Sequence, residues 1–142
     1  MIRILQKYDL DAVMQIWLET NIDAHNFIPE EYWTSNYMYV KAMLPQAEIY
    51  VFENDNTKQT DAFIGLTGHY IAGIFVKESA RSKGIGKQLL DYAKERKTKL
   101  SLSVYQKNRR AVRFYQREQF IIQAENIDNE TNEKEFKMVW HK

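Results

Sequence analysis

A chain of 142 residues is long enough to bury one core; with net charge +1, 44% hydrophobic and 27% charged residues it sits near the averages of soluble folded proteins. These values argue against disorder, fibrous repeats and nucleic-acid binding, the last because phosphate contacts ordinarily demand a large basic excess. Cysteine is absent and the three histidines (His25, His69, His141) are scattered, which removes disulfides, thiolate chemistry and zinc motifs, so no metal is expected.

No run reaches the roughly 18 apolar residues of a membrane span, and the first residues lack the apolar stretch of a signal peptide. A cytoplasmic protein with no membrane partner is expected, forming one domain over 1–142, as monomer or homodimer. "IRIL" reads as a short strand. "DLDAVMQIWLET" puts Leu10, Val13, Met14 and Trp17 on one helical face up to about Thr20, with Asp9 as the expected N-cap. Pro29 suits a first helical position, and Trp33, Tyr37, Val40 and Leu44 recur at helical spacing up to Pro45.

"EIYVFE" (48–53), "AFIGLTG" and "HYIAGIFV" are strand-like runs separated by polar turns, so an antiparallel meander is expected. From Gly84 to about Lys97, the residues Ile85, Leu89, Tyr92 and Ala93 form an apolar helical stripe. "LSLSV" alternates as a strand, parallel to the fourth because a helix joins them. "NRRAVRFYQRE" is a short helix, and "FIIQAEN" and "KEFKMVW" read as a closing hairpin with Phe136, Met138 and Trp140 on one side.

The fourth strand runs into "RSKGIGKQLL", a cationic glycine loop opening a helix. That context makes an anion site, because unpaired N–H groups and the positive end of the helix dipole converge there. A P-loop would need glycine at Arg81 and a hydroxyl at Gln88; a dinucleotide fingerprint would need glycine or alanine at Leu89. Neither matches. Taken alone, the loop equally fits an ordinary helix start with solvated lysines.

Arg81, Gly84 and Gly86 do match the Arg/Gln-x-x-Gly-x-Gly/Ala pattern, and Asn108, Ala111, Phe114 and Tyr115 match a later Asn, Ala, aromatic-Tyr pattern. With the order of elements, the sequence thereby resembles the GNAT superfamily of acetyl-CoA-dependent N-acetyltransferases, most strongly over Ala62 to Ile122. The resemblance implies an α+β fold with a mixed, mostly antiparallel sheet of about seven strands flanked by about four helices, strands four and five splayed around the cofactor. It also implies that Arg81, Ser82, Lys83, Gly84, Ile85, Gly86 and Lys87 hold the coenzyme A pyrophosphate. The backbones of Ile74, Phe75 and Val76 would hold the pantetheine arm, with Asn108, Ala111 and Tyr115 on the cofactor side. Gly73 is expected to mark the bulge where strands four and five part.

One departure stands out. Gln119 occupies a position where the family commonly has glycine, and a left-handed non-glycine costs about 1 kcal/mol, so the turn is expected to close differently.

The implied reaction is direct attack of an amine of a small molecule, peptide or protein on the thioester, with a backbone N–H polarising the carbonyl. A non-catalytic acyl-CoA-binding module is the alternative. Tyr115 is the candidate acid at the departing thiolate. No carboxylate lies on strand four, which leaves His69 as a proton relay through water or equally as a solvent-facing turn residue. His25, Phe27, Tyr32 and Trp33 are the acceptor-site candidates, although aromatics at such spacing equally serve a core.

Overall fold

The computed structural model describes residues 1–142. Seven strands form one sheet in the order β1-β2-β3-β4-β5-β7-β6: β1 is Ile2–Ile4, β2 Glu48–Glu53, β3 Thr60–Thr67, β4 Tyr70–Val76, β5 Lys99–Tyr105, β6 Ile121–Ile127 and β7 Lys134–His141. Every pairing is antiparallel except β4 with β5. Four helices complete the mixed α+β fold: α1 Leu10–Ala24, α2 Glu30–Met43, α3 Ile85–Arg96 and α4 Arg109–Arg117.

Alternation along the strands divides the interior into two clusters, one on each face of the sheet. Ala62, Ile64 and Leu66 of β3 and Leu100, Leu102 and Val104 of β5 join Leu89, Leu90 and Ala93 of α3 and Val112 and Tyr115 of α4. On the other face, Ile49, Val51 and Phe63 meet Val13, Met14, Ile16 and Trp17 of α1 and Trp33 of α2. The sheet therefore separates an α1–α2 layer from an α3–α4 layer.

Several local expectations change. Helix α1 runs on to Ala24, and the Asp9 side chain makes no capping bond to it. Its buried carboxylate instead accepts from Arg3 at 2.7 and 2.9 Å and from the Gln6 N–H at 2.7 Å. The Arg3 hydrogen bond holds the Asp9 carboxyl below its ordinary pKa. An arginine six residues away outcompetes the helix terminus because a charge-assisted bidentate pair is stronger than a single cap. Pro29 precedes α2 with extended backbone (ψ 140°) instead of opening it.

Gln119 is also a correction. It adopts φ 75°, and the Phe120 N–H bonds back to the Tyr115 carbonyl at 3.0 Å. The left-handed close therefore survives without glycine. Lys94 helps, because its ammonium donates to the Glu118 carbonyl at 2.6 Å and lies over the rings of Phe120 and Trp140. Packing and a charged cap offset the roughly 1 kcal/mol backbone cost.

Candidate active site

Strands β4 and β5 pair only at Tyr70 with Ser101 and Ile71 with Leu102. Beyond Ile71 they part. The cause lies in the β3–β4 ladder, where Gly65 opposes Gly73 and Leu66 opposes Ile71, leaving Ala72 as an extra residue on β4. Gly73 borders this bulge for a steric reason: a β-carbon there would lie 2.3 Å from the Phe75 ring, which stacks on Phe63 at 4.8 Å. The Lys77 N–H bonds to the Asp61 carbonyl across β3. By the antiparallel alternation, Phe75 and Gly73 then also turn their polar groups to β3, while those of Ile74 and Val76 face the gap. An extended chain entering there finds strand-like partners.

At the end of β4 the chain turns through Glu78–Ala80 and reaches α3. Ser82 (φ 63°) and Gly84 (φ 77°) are both left-handed, an arrangement that turns successive N–H groups to one side as an anion nest. The first amide of this stretch with a protein partner is that of Gln88, bonded to the Gly84 carbonyl. From Ser82 through Lys87 the N–H groups have none, so six consecutive donors stand free at a helix N-terminus. This suits a pyrophosphate. Arg81 is tied to the Val76 carbonyl at 3.4 Å, and Lys87 pairs with Asp91 (2.9 Å) and Glu118 (3.3 Å), whereas Lys83 makes no ion pair. Hydrogen bonds to Asp91 and Glu118 raise the Lys87 pKa.

Tyr115 lies in the first cluster with its ring edge-on to Phe114 and Phe120 at 5.2 and 5.5 Å. Its hydroxyl makes no hydrogen bond, yet is not among the fully enclosed unpartnered atoms, which number one, Trp33 Nε1. Burial raises the Tyr115 pKa well above the ordinary phenol value, and the Tyr70 phenol adds to this. Ala111 sits one turn before Tyr115, packed partly against the same cluster.

The four acceptor-site candidates come together on the other face. The His25 ring stacks on Trp33 (5.3 Å) and stands edge-on to Phe27 (5.7 Å) and Tyr105 (5.2 Å), and Tyr32 is edge-on to Trp33 at 4.9 Å. Trp33 is buried, so it backs this wall, while Phe27 and Tyr32 remain partly exposed. Tyr32 and Tyr105 donate to Glu130 and Asp128 of the β6–β7 turn, each at 2.6 Å. His69 is exposed on the β3–β4 turn, and its carbonyl accepts the Ser101 N–H. Tyr70 and Tyr105 were not singled out by sequence. Tyr105 left one signal: on the face of β5 otherwise carrying Ser101 and Ser103, an aromatic implies a neighbour on that side.

His25 is only partly exposed, and burial lowers its pKa to about 4. Its Nδ1 lies 3.1 Å from the Asn21 carbonyl and its Nε2 lies 3.2 Å from Asn108 Nδ2. An unfolded histidine titrates near 6.5, so as pH falls the unfolded chain takes up this proton first and stability is lost. The loss should begin near pH 6.5 and be complete near pH 4, amounting to about 3 kcal/mol at 1.36 kcal/mol per pKa unit. Urea denaturation across that range checks it: a flat wild-type profile, or the same slope in His25→Phe, would contradict the assignment.

The acetyltransferase (GNAT) domain family matches residues 45–122 of this chain. The chain is similar to the peptidyl-lysine N-acetyltransferase YiaC of Escherichia coli (strain K12), at 36% identity over 142 residues covering 99% of this chain and 96% of the relative. It is also similar to the peptidyl-lysine N-acetyltransferase YjaB of the same organism, at 28% identity over 107 residues, 75% of this chain and 72% of that one. Its fold matches the solution structure of apo YjaB from Escherichia coli with a TM-score of 0.87 at 24% identity, covering 99% of this chain and 96% of the other. PaiA N-acetyltransferase from Thermoplasma acidophilum, solved in complex with coenzyme A, matches with a TM-score of 0.81 at 20% identity, covering 100% and 98%.

Proposed function

The chain belongs to the GNAT family and is an acetyl-CoA-dependent N-acetyltransferase, and we propose that its acceptor is the side-chain amine of a lysine within a peptide or protein. The observation that carries this reading is the likeness to YiaC, which spans the two N-terminal helices as well as the cofactor half. The wall of Phe27, Tyr32 and Tyr105 suits the apolar stem of a lysine, and the nearby carboxylates of Asp128, Glu130 and Glu135 suit its charged head. Glu135 pairs with Tyr105 in register and makes no ion pair, and burial followed by Asp128 raises its pKa.

Acetyl-CoA supplies the acetyl group as a thioester. In this reading the free amides from Ser82 to Lys87 bind its pyrophosphate, the outward N–H and carbonyl of Ile74 and the outward N–H of Val76 bind the pantetheine arm, and one of these N–H groups polarises the thioester carbonyl. Phe75, whose polar groups turn to β3, shapes the acceptor side with its ring. Tyr115 donates a hydrogen bond to the sulfur as it leaves. The Asn108 amide is engaged within the protein, so its part on the cofactor side is to hold α4 in place.

A lysine amine is neutral at pH 7 only about once in a thousand, a handicap of roughly 4 kcal/mol, so the amine must lose a proton before it attacks. His69, exposed and free of side-chain hydrogen bonds, relays that proton through water. We assign the protein to the cytoplasm, where acetyl-CoA and lysine-bearing proteins meet; no helix of the chain is long and apolar enough to cross a membrane.

The test follows thiol release from acetyl-CoA across lysine peptides with blocked N-termini, free lysine, polyamines and peptides with free N-termini. Blocked lysine peptides should be acetylated fastest; preference for any other class would overturn the acceptor assignment while leaving the acetyltransferase. In the same preparation, acetyl-CoA at a hundred times its dissociation constant should stabilise the fold by about 2.7 kcal/mol, and an unchanged melting temperature would remove the cofactor site from the loop.

A further inference from the structure

The His25–Asn108 contact is the one side-chain hydrogen bond joining the α1–α2 layer to the α3–α4 layer, which the sheet otherwise keeps apart. It belongs to a longer chain of bonds whose directions are determined by chemistry. The Asn21 carbonyl can only accept, so His25 Nδ1 carries the hydrogen at 3.1 Å. His25 Nε2 is then an acceptor, and Asn108 Nδ2 donates to it at 3.2 Å. The Asn108 Oδ1 faces the other way and accepts from the Ala111 N–H at 3.3 Å, capping α4. Each group has one permitted orientation, and each orientation requires the next.

The two ends of this chain matter to different parts of the reaction. One end is the last turn of α1, from which the connection carrying Phe27 departs and against which Trp33 stacks through the His25 ring. The other end opens α4, a helix of nine residues that carries Tyr115 two turns on. A helix this short takes its position from its cap and its packing, because little cooperativity lies within it. We propose that His25, as the neutral Nδ1–H tautomer, is a positioning residue that couples the acceptor wall to the helix bearing Tyr115, so that amine, thioester and phenol are held in one register. The histidine touches neither reactant; it acts through Asn108 and α4.

Protonation is incompatible with this role. A second hydrogen on Nε2 would point at the amide hydrogens of Asn108, and turning that amide round would set its hydrogens against the Ala111 N–H. The groups facing the ring are the aromatic Trp33, Phe27 and Tyr105, the Asn21 carbonyl and the Asn108 amide; the charged groups at this end are Lys107, which lies over Phe27 and pairs with Glu133, and Asp128, which accepts from Tyr105. No carboxylate bonds the ring, so nothing there favours the imidazolium.

The proposal rests on acetyl transfer itself and not on which amine accepts, so the assay uses whichever lysine peptide or polyamine the wild type acetylates fastest. Three variants isolate the relay. His25→Phe keeps the stack on Trp33 and loses both hydrogen bonds. Asn108→Ser keeps an oxygen able to cap α4 and loses the donor to His25, and it remains informative if the first variant folds poorly. The third combines both. At a temperature where circular dichroism shows each variant folded, each single change should lower kcat by about 10- to 100-fold, the scale expected of a misplacement near 1 Å, with acetyl-CoA affinity unchanged. The double variant should be no worse than the more damaging single one, since both break the same link. Nitrogen NMR of wild-type His25 should show the Nδ1–H tautomer at neutral pH. Wild-type kcat in folded Asn108→Ser, losses that multiply in the double variant, or an Nε2–H tautomer would each overturn the proposal.

Discussion

Tyr115→Phe should lower kcat by about 10- to 100-fold, at the lower end of what general acids contribute, while acetyl-CoA affinity and melting temperature hold. The reason the fold survives is visible in the packing. The ring sits between Phe114 and Phe120 and phenylalanine retains it, while the hydroxyl has no partner in the protein whose hydrogen bond would be orphaned. The reason turnover falls is that the hydroxyl is the donor proposed for the leaving sulfur. Burial raises its pKa further above that of a thiol, so it serves by holding the thiolate through a hydrogen bond more than by giving up its proton. Two consequences can be measured. The loss should be constant from pH 6 to 9, since the phenol is protonated throughout that roughly three-unit range, and it should shrink with acyl donors whose leaving thiol is more acidic. Wild-type turnover in this variant would remove Tyr115 from the sulfur, and a parallel loss of stability would make it a core residue.

Gly84→Val should weaken acetyl-CoA binding by about 100-fold, with a smaller effect on stability. The site chain leaves open space around Gly84, where an added β-carbon meets nothing within 4 Å, so the penalty is one of backbone and not of collision. At φ 77° a β-branched residue is strained by at least about 1 to 2 kcal/mol, and the loop relieves it by rotating. Rotation turns the N–H groups away from a common point, and losing two hydrogen bonds to an anion at about 1.5 kcal/mol each accounts for the expected factor. Gly86→Val acts differently. Its β-carbon would sit 3.8 Å from Phe114 and from Val76 and 3.9 Å from Ile74, an ordinary contact, but the branches beyond it press between α4 and the cofactor-facing edge of β4. Calorimetric titration with coenzyme A separates the two: normal binding by both variants would move the pyrophosphate elsewhere.

The parts of the site that were legible in the sequence are those specified over short spans. Glycines in a cationic loop between a strand and a helix need no distant partner to turn their amides outward, and the structure leaves those amides free from Ser82 to Lys87. Alternation in "LSLSV" named the buried side of β5, and the stripe Ile85, Leu89, Ala93 named the buried side of α3, since each pattern reflects the geometry of its own backbone. The left-handed Gln119 shows the limit of such local reasoning, because Lys94, far away in sequence, caps the turn that local cost argued against.

What only the tertiary structure decided depends on competition between distant partners. Asp9 could cap a helix or bind Arg3, and the stronger bidentate pair prevailed. The final hairpin could present either strand to β5. The inner place went to β7, whose Phe136, Met138 and Trp140 oppose Val104, Leu102 and Leu100, while β6 keeps Ile121 and Ile127 exposed at the edge. In sequence His25 is an acceptor-site candidate or a core aromatic, with no local pattern to separate the two. Its neutral form, its aromatic surroundings and its bond to Asn108 exist only because folding brings residues 25 and 108 within 3.2 Å, past the end of a sheet whose register neither segment encodes alone.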